Sequence, residues 1–180
     1  VNLGEGNFNQ IVIHSINTDW NNGIIDITGG DLDGDGDIDL LIVAGQDQDG
    51  RLFWYENDGD ENFTQNIISD NAIDPEAVFI SDMDGDRDMD ILSVSPLNQS
   101  LLWYENDGNG VFLGYIIDDY TRNSEDVAAA DFDNDGDMDI ITYSNGANSC
   151  GIYWYRNEGT QHGVRYFSDK INLPDIGSYT

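Results

Sequence analysis

Cysteine is all but missing: Cys150 stands alone among 180 residues. No intrachain disulfide can form, so the fold is not held by covalent staples. Cys150 itself reads as a small buried thiol just ahead of a strand. Basic residues are scarce too, with 6 Lys and Arg against 36 Asp and Glu and a formal charge of -30. A track for nucleic-acid phosphates needs clustered Lys and Arg, so nucleic acid is excluded as a partner. An anionic membrane surface would repel the chain for the same reason. No apolar run approaches the roughly 18 residues of a membrane span. No signal-peptide pattern follows Val1, and the chain reads as mature, trimmed or an excerpt. No helical period is present. There is no G-x-S-x-G, no H-E-x-x-H and no phosphate loop, and His14 and His162 have no partner pattern. The chain is expected not to be an enzyme.

What it does have is said three times. Asp31, Asp33, Asp35, Asp37 and Asp39 occupy alternate positions of nine residues. Asp82, Asp84, Asp86, Asp88 and Asp90 repeat the pattern, and Asp131, Asp133, Asp135, Asp137 and Asp139 repeat it again. These loops hold fifteen of the 36 acids. Carboxylates so close repel one another, and a hard dication removes the conflict. Calcium takes six to eight oxygens, and the EF-hand loop supplies them from positions 1, 3, 5, 7 and 9. The glycine which that loop needs at position 6 is present as Gly36 and Gly136, but Arg87 replaces it in the middle copy. The middle turn is expected to carry backbone strain and to be the weakest of three structural calcium sites.

A second signature keeps step with the first. Leu52-Phe53-Trp54-Tyr55-Glu56-Asn57 recurs as Leu101-Leu102-Trp103-Tyr104-Glu105-Asn106 and as Ile152-Tyr153-Trp154-Tyr155-Arg156-Asn157. A period near 50 residues means stacked supersecondary units. Each reads as four short strands rich in β-branched and aromatic residues and bounded by Gly, Asn, Asp and Pro. Four-stranded units at this period predict an all-β chain of antiparallel propeller blades. The expected blades are residues 23–69, 75–119 and 125–172. An orphan fourth strand is expected within 1–15, because residues 8–13 copy 63–68, and the start of a further blade within 173–180. Three blades do not close a ring, which implies either a longer propeller chain or self-assembly through the orphan strands.

The acidic loops and Trp-Tyr-Glu-Asn strands resemble FG-GAP/VCBS-type repeats, the calcium-binding blades of integrin α-subunit-like propellers. The resemblance implies an extracellular module. It also implies calcium ligation by Asp31, Asp33, Asp35 and Asp39 with the Asp37 carbonyl, and by the same positions of the other loops through the Asp88 and Asp137 carbonyls. Such blades occur in adhesins, lectins and receptors, and as accessory parts of polysaccharide-degrading enzymes.

Up-and-down blades put the acidic turns on one end, leaving the opposite end for a glycan or an extracellular protein. The loops there carry unrepeated Trp20, Asn22, Gln46, Asp49, Tyr120 and Arg122 as ligand-face candidates. Trp54, Trp103 and Trp154 recur too strictly to be sugar platforms and read as packing between blades. The expected function is calcium-stabilised adhesion or glycan and protein binding. Alternatives are a protomer of a ring or filament joined by strand exchange, and an accessory domain of a secreted polysaccharide-degrading enzyme.

Overall fold

The computed structural model describes residues 12–13, 23–45, 50–70, 72, 74–121, 123–146, 149–161, 164–168 and 171–172. The expected orphan strand and the expected start of a further blade lie outside this set, apart from residues 12 and 13. Among the described residues there is no helix. Strands β1 (Ile24–Gly30), β2 (Asp39–Ala44), β3 (Arg51–Asn57) and β4 (Phe63–Ser69) form one antiparallel sheet in sequential order. Strands β5 (Ala77–Ser81), β6 (Asp90–Ser95), β7 (Ser100–Asn106) and β8 (Phe112–Asp118) form the second. These are propeller blades, and β5 lies against both β1 and β9 (Ser124–Ala130), so the first strands line up along one axis. The three sheets do not close on themselves.

The third blade departs from the simple pattern. Its β10 (Asp139–Gly146) and β11 (Ser149–Tyr155) follow β9 as expected. The next segment folds into a separate hairpin of β12 (Asn157–Gln161) and β13 (Val164–Phe167) before β14 (Ile171–Asn172) completes the sheet. The cause is length: residues 58–62 and 107–111 turn directly into the fourth strand, whereas 156–170 must absorb a longer excursion. The hairpin still supplies the aromatic ring the repeat needs. Phe167 meets Trp103 edge-on at 6.4 Å, as Phe112 meets Trp54 at 6.2 Å.

Strand alternation explains the seams. In β2 and β3, Leu41, Val43, Leu52 and Trp54 point to the second blade and meet Val78, Ile91 and Tyr104. In β6 and β7, Leu92, Val94, Leu101 and Trp103 point to the third and meet Val127, Ile140 and Tyr155. Successive side chains face opposite sides of a sheet, so each central strand serves two seams. Trp54 and Trp103 are 5% and 2% exposed, which makes them core. A fully buried side chain of this kind contributes about 1.5–3 kcal/mol. Leu32 and Met83, second residues of the acidic loops, belong to these same seams.

On the third blade the equivalent positions are exposed. Phe132, Tyr143 and Ile152 are 43%, 40% and 38% exposed, whereas their counterparts Leu32, Val43 and Leu52 are 0–1% exposed. Cys150 is exposed and not buried as expected; it pairs with Asn145 near the end of the β10–β11 ladder.

Candidate metal centres

Each acidic loop is shaped from within by its first aspartate. Asp31 accepts from the Gly34 amide at 2.8 Å and the Gly36 amide at 3.0 Å. Asp82 accepts from Gly85 at 2.8 Å and Arg87 at 3.1 Å, and Asp131 from Asp135 and Gly136, both at 3.1 Å. The chain must turn left-handed to aim these amides inward, and position 6 shows it: φ is +94° at Gly36, +84° at Arg87 and +100° at Gly136. A β-carbon at such an angle costs on the order of 1–3 kcal/mol, so Arg87 carries the strain its sequence position implies.

The loops bring together Asp31, Asp33 and Asp39; Asp82, Asp84 and Asp86; and Asp131, Asp133 and Asp135, each offering one oxygen within 4.8 Å of the others. In the first loop Asp35 lies outside the trio, and its Oδ1 accepts from the Asp37 amide at 2.8 Å. Asp37, Asp88 and Asp137 stand outside the trios beside Gly59, Gly108 and Gly159. The donors are hard oxygens, which suits a divalent cation of the calcium or magnesium class rather than a thiol-seeking metal. The surroundings agree. Asp33 is pushed above the usual carboxylate range by burial first, then by the charges of Asp35, Asp39 and Glu56, against the Asp35 amide. Asp133 is pushed up by burial and then by the charges of Asp135 and Asp139, against the Arg156 charge and the Asp135 amide, and its Oδ1 is shielded from solvent with no hydrogen-bond partner. A cation would satisfy that oxygen and relieve the repulsion. These are groups that can hold a metal ion.

The ninth aspartate has a second task. Asp39, Asp90 and Asp139 are fully buried. One oxygen of each accepts from the loop, from the amides of Leu32, Met83 and Phe132 at 2.8, 3.0 and 3.2 Å. The other accepts from the amides of Asn57, Asn106 and Asn157, each at 2.8 Å. Burial pushes the Asp90 carboxyl up to about 6, opposed by the Asn106 and Met83 amides.

Those asparagines were not singled out from the sequence, although their strict recurrence after a position that varies between Glu56, Glu105 and Arg156 was the signal. Asn106 Nδ2 donates to Met89 O at 3.0 Å in its own blade and to Leu32 O at 2.8 Å in the loop of the blade before. Asn157 does the same with Met138 O at 3.2 Å and Met83 O at 3.3 Å. Each therefore ties one acidic loop to the next.

Of the ligand-face candidates, Tyr120 is half exposed, and its amide donates to Asp118 Oδ1 at 2.7 Å. Trp20, Asn22, Gln46, Asp49 and Arg122 lie outside the described residues. The same end of the blades holds an open cleft of about 540 Å³ between the second and third, lined by Asp74, Glu76, Leu97, Gln99, Asn123 and Glu125. Burial raises Glu76 above the usual carboxylate range, and the charges of Asp74, Glu125 and Asp26 add to the shift.

No curated protein matches the chain. A family model, FG-GAP-like repeat, matches twice, over residues 31–93 and 82–142. Together these matches span more than half the chain and run from one acidic loop through the next. The family is generally non-catalytic. With three repeats of loop and strand folded as blades, the chain belongs to the FG-GAP-like repeat family.

Proposed function

We propose that this chain is a non-catalytic extracellular recognition module, with calcium fastening one end of each blade and a ligand meeting the other. Metal and ligand are separated by the length of the strands, so the metal acts on stability and not on chemistry. A cation held by these aspartates would pin the turn between the first two strands of its blade. The observation that carries the reading is the acidic cleft at the end opposite the metal loops. Asp74, Glu76 and Glu125 converge there with Gln99 and Asn123, a lining that favours a cationic loop of a protein partner, with a neutral glycan second. Arrays of basic peptides and of glycans, probed with the calcium-loaded chain, test this. Retained binding is expected to fall at least about tenfold in Glu76→Gln/Glu125→Gln, with thermal stability unchanged. No binding on either array, or binding indifferent to the double substitution, refutes it.

A second reading concerns assembly. Phe132, Tyr143 and Ile152 are exposed at positions that bury the next blade elsewhere in the chain. This favours a further blade of the same repeat seated on the third, from the same polypeptide or another copy. Sedimentation of the 180-residue chain is expected to show a discrete assembly that Tyr143→Glu/Ile152→Glu reduces to monomer. A monodisperse wild-type monomer would count against pairing between copies.

A further inference from the structure

The three acidic loops are repeats, but the residue beside each is not. The strand position after the repeated tyrosine is Glu56 in the first blade, Glu105 in the second and Arg156 in the third. Glu56 lies close enough to Asp33 for their charges to interact. At the third loop the sign is reversed: Arg156 Nε lies 3.0 Å from Asp133 Oδ2. We propose that Arg156 is a resident cation for the third loop, giving the chain two stronger metal sites and one weak site. The inference rests on the reading that the acidic loops bind divalent cations.

The guanidinium is held from three sides. It contacts Asp133, sits with Cζ 5.0 Å above the Trp154 ring, and places Nη1 3.9 Å from Glu158. Its backbone is fixed as well, since Arg156 O accepts from the Ser168 amide at 2.9 Å and its own amide donates to Ser168 Oγ at 3.3 Å. The inserted hairpin therefore anchors the arginine at the loop. Arginine keeps its charge at any pH at which the protein folds. Asp133 is left with one oxygen for a metal, the shielded Oδ1, because Oδ2 faces the guanidinium.

The charge count points the same way. Five aspartates and Glu56 give the first loop -6, whereas five aspartates and Arg156 give the third -4. The second, with five aspartates, Glu105 and Arg87, stands at -5. A dication entering the third loop meets a like charge beside one of its ligands, or displaces the guanidinium and loses that pair. At a few ångströms this repulsion lowers affinity by about tenfold or more. The order differs from the one expected from backbone alone. Arg87 strains the turn of the second loop, but it lines a crevice with Asp31, Gly34 and Asp88, whereas Arg156 forms ion pairs with Asp133 and Glu158.

Calorimetric titration of the whole chain with calcium chloride, at low ionic strength, tests the proposal. Wild type is expected to bind two equivalents, followed by a third at least about tenfold weaker. Arg156→Gln strengthens only the third, and Arg156→Glu brings it level with the first. Arg156→Gln keeps the length and polarity of the side chain, so it serves if the glutamate variant fails to fold. Three equal sites in wild type, or a third site indifferent to both substitutions, overturn the inference and leave cation binding intact. No uptake by any loop overturns both.

Discussion

Replacing Asn106 by alanine is expected to destabilise the chain by about 4 kcal/mol, because buried polar groups left unpaired cost about 1–3 kcal/mol each. Asn106 is 2% exposed. Its side chain donates to the carbonyls of Leu32 and Met89 and accepts from the Gly108 amide at 3.1 Å. Alanine removes all of these and leaves the Leu32 and Met89 carbonyls and the Gly108 amide without that partner. Asn57→Ala is the internal control. Its Oδ1 accepts from the Gly59 amide at 3.2 Å, but its Nδ2 donates to Ile38 O in its own blade, at 3.1 Å and in an exposed setting, so the expected loss is about half as large. Urea unfolding of both variants in calcium buffer gives the comparison. If Asn106→Ala costs no more than Asn57→Ala, the asparagine is not a tie between blades.

Chelating divalent cations is expected to cost about 3 kcal/mol, taking two occupied sites at about 1.4 kcal/mol each when calcium is tenfold above its dissociation constant. For a chain of this size that lowers the melting temperature by about 6–12 °C. The chain carries -30 formal charges without a cation, fifteen of the acids in three short loops. Added sodium chloride recovers part of the loss by screening exposed carboxylates. Magnesium recovers less, since its smaller, stricter octahedral shell keeps its waters. Scanning calorimetry in calcium, in chelator and in chelator with salt separates these effects. A melting temperature indifferent to chelator removes the structural role assigned to the loops.

Much of this architecture is legible in the residues, because both signals are periodic. Short runs rich in β-branched and aromatic residues, such as 40–44 and 91–95, give the strands, and the acidic nine-residue loops give the turns between them. Trp54 and Trp103 are core for the reason their recurrence suggests. What stays hidden depends on neighbours that no period reports. The partner of Asn106 is a carbonyl 74 positions away in sequence, exposed to it only once two blades stack. The hairpin of β12 and β13 is an insertion in one copy, so comparison among repeats does not flag it. Arg156 reads as a break in a pattern until its guanidinium is found against Asp133. The grouping within the loops is likewise a property of shape. Asp39 joins the first trio, while its counterparts Asp90 and Asp139 stand outside theirs.

The ties between blades all run one way. Leu32 and Met83 are roofed by the following blade, and their own carbonyls wait for Asn106 and Asn157. On the ribosome, then, no blade finishes its own interior; the one behind it in the exit tunnel must emerge first. Nearest-neighbour completion of this kind turns translation order into folding order. A nascent chain stalled between repeats would display one sticky, half-built flank for chaperones to find.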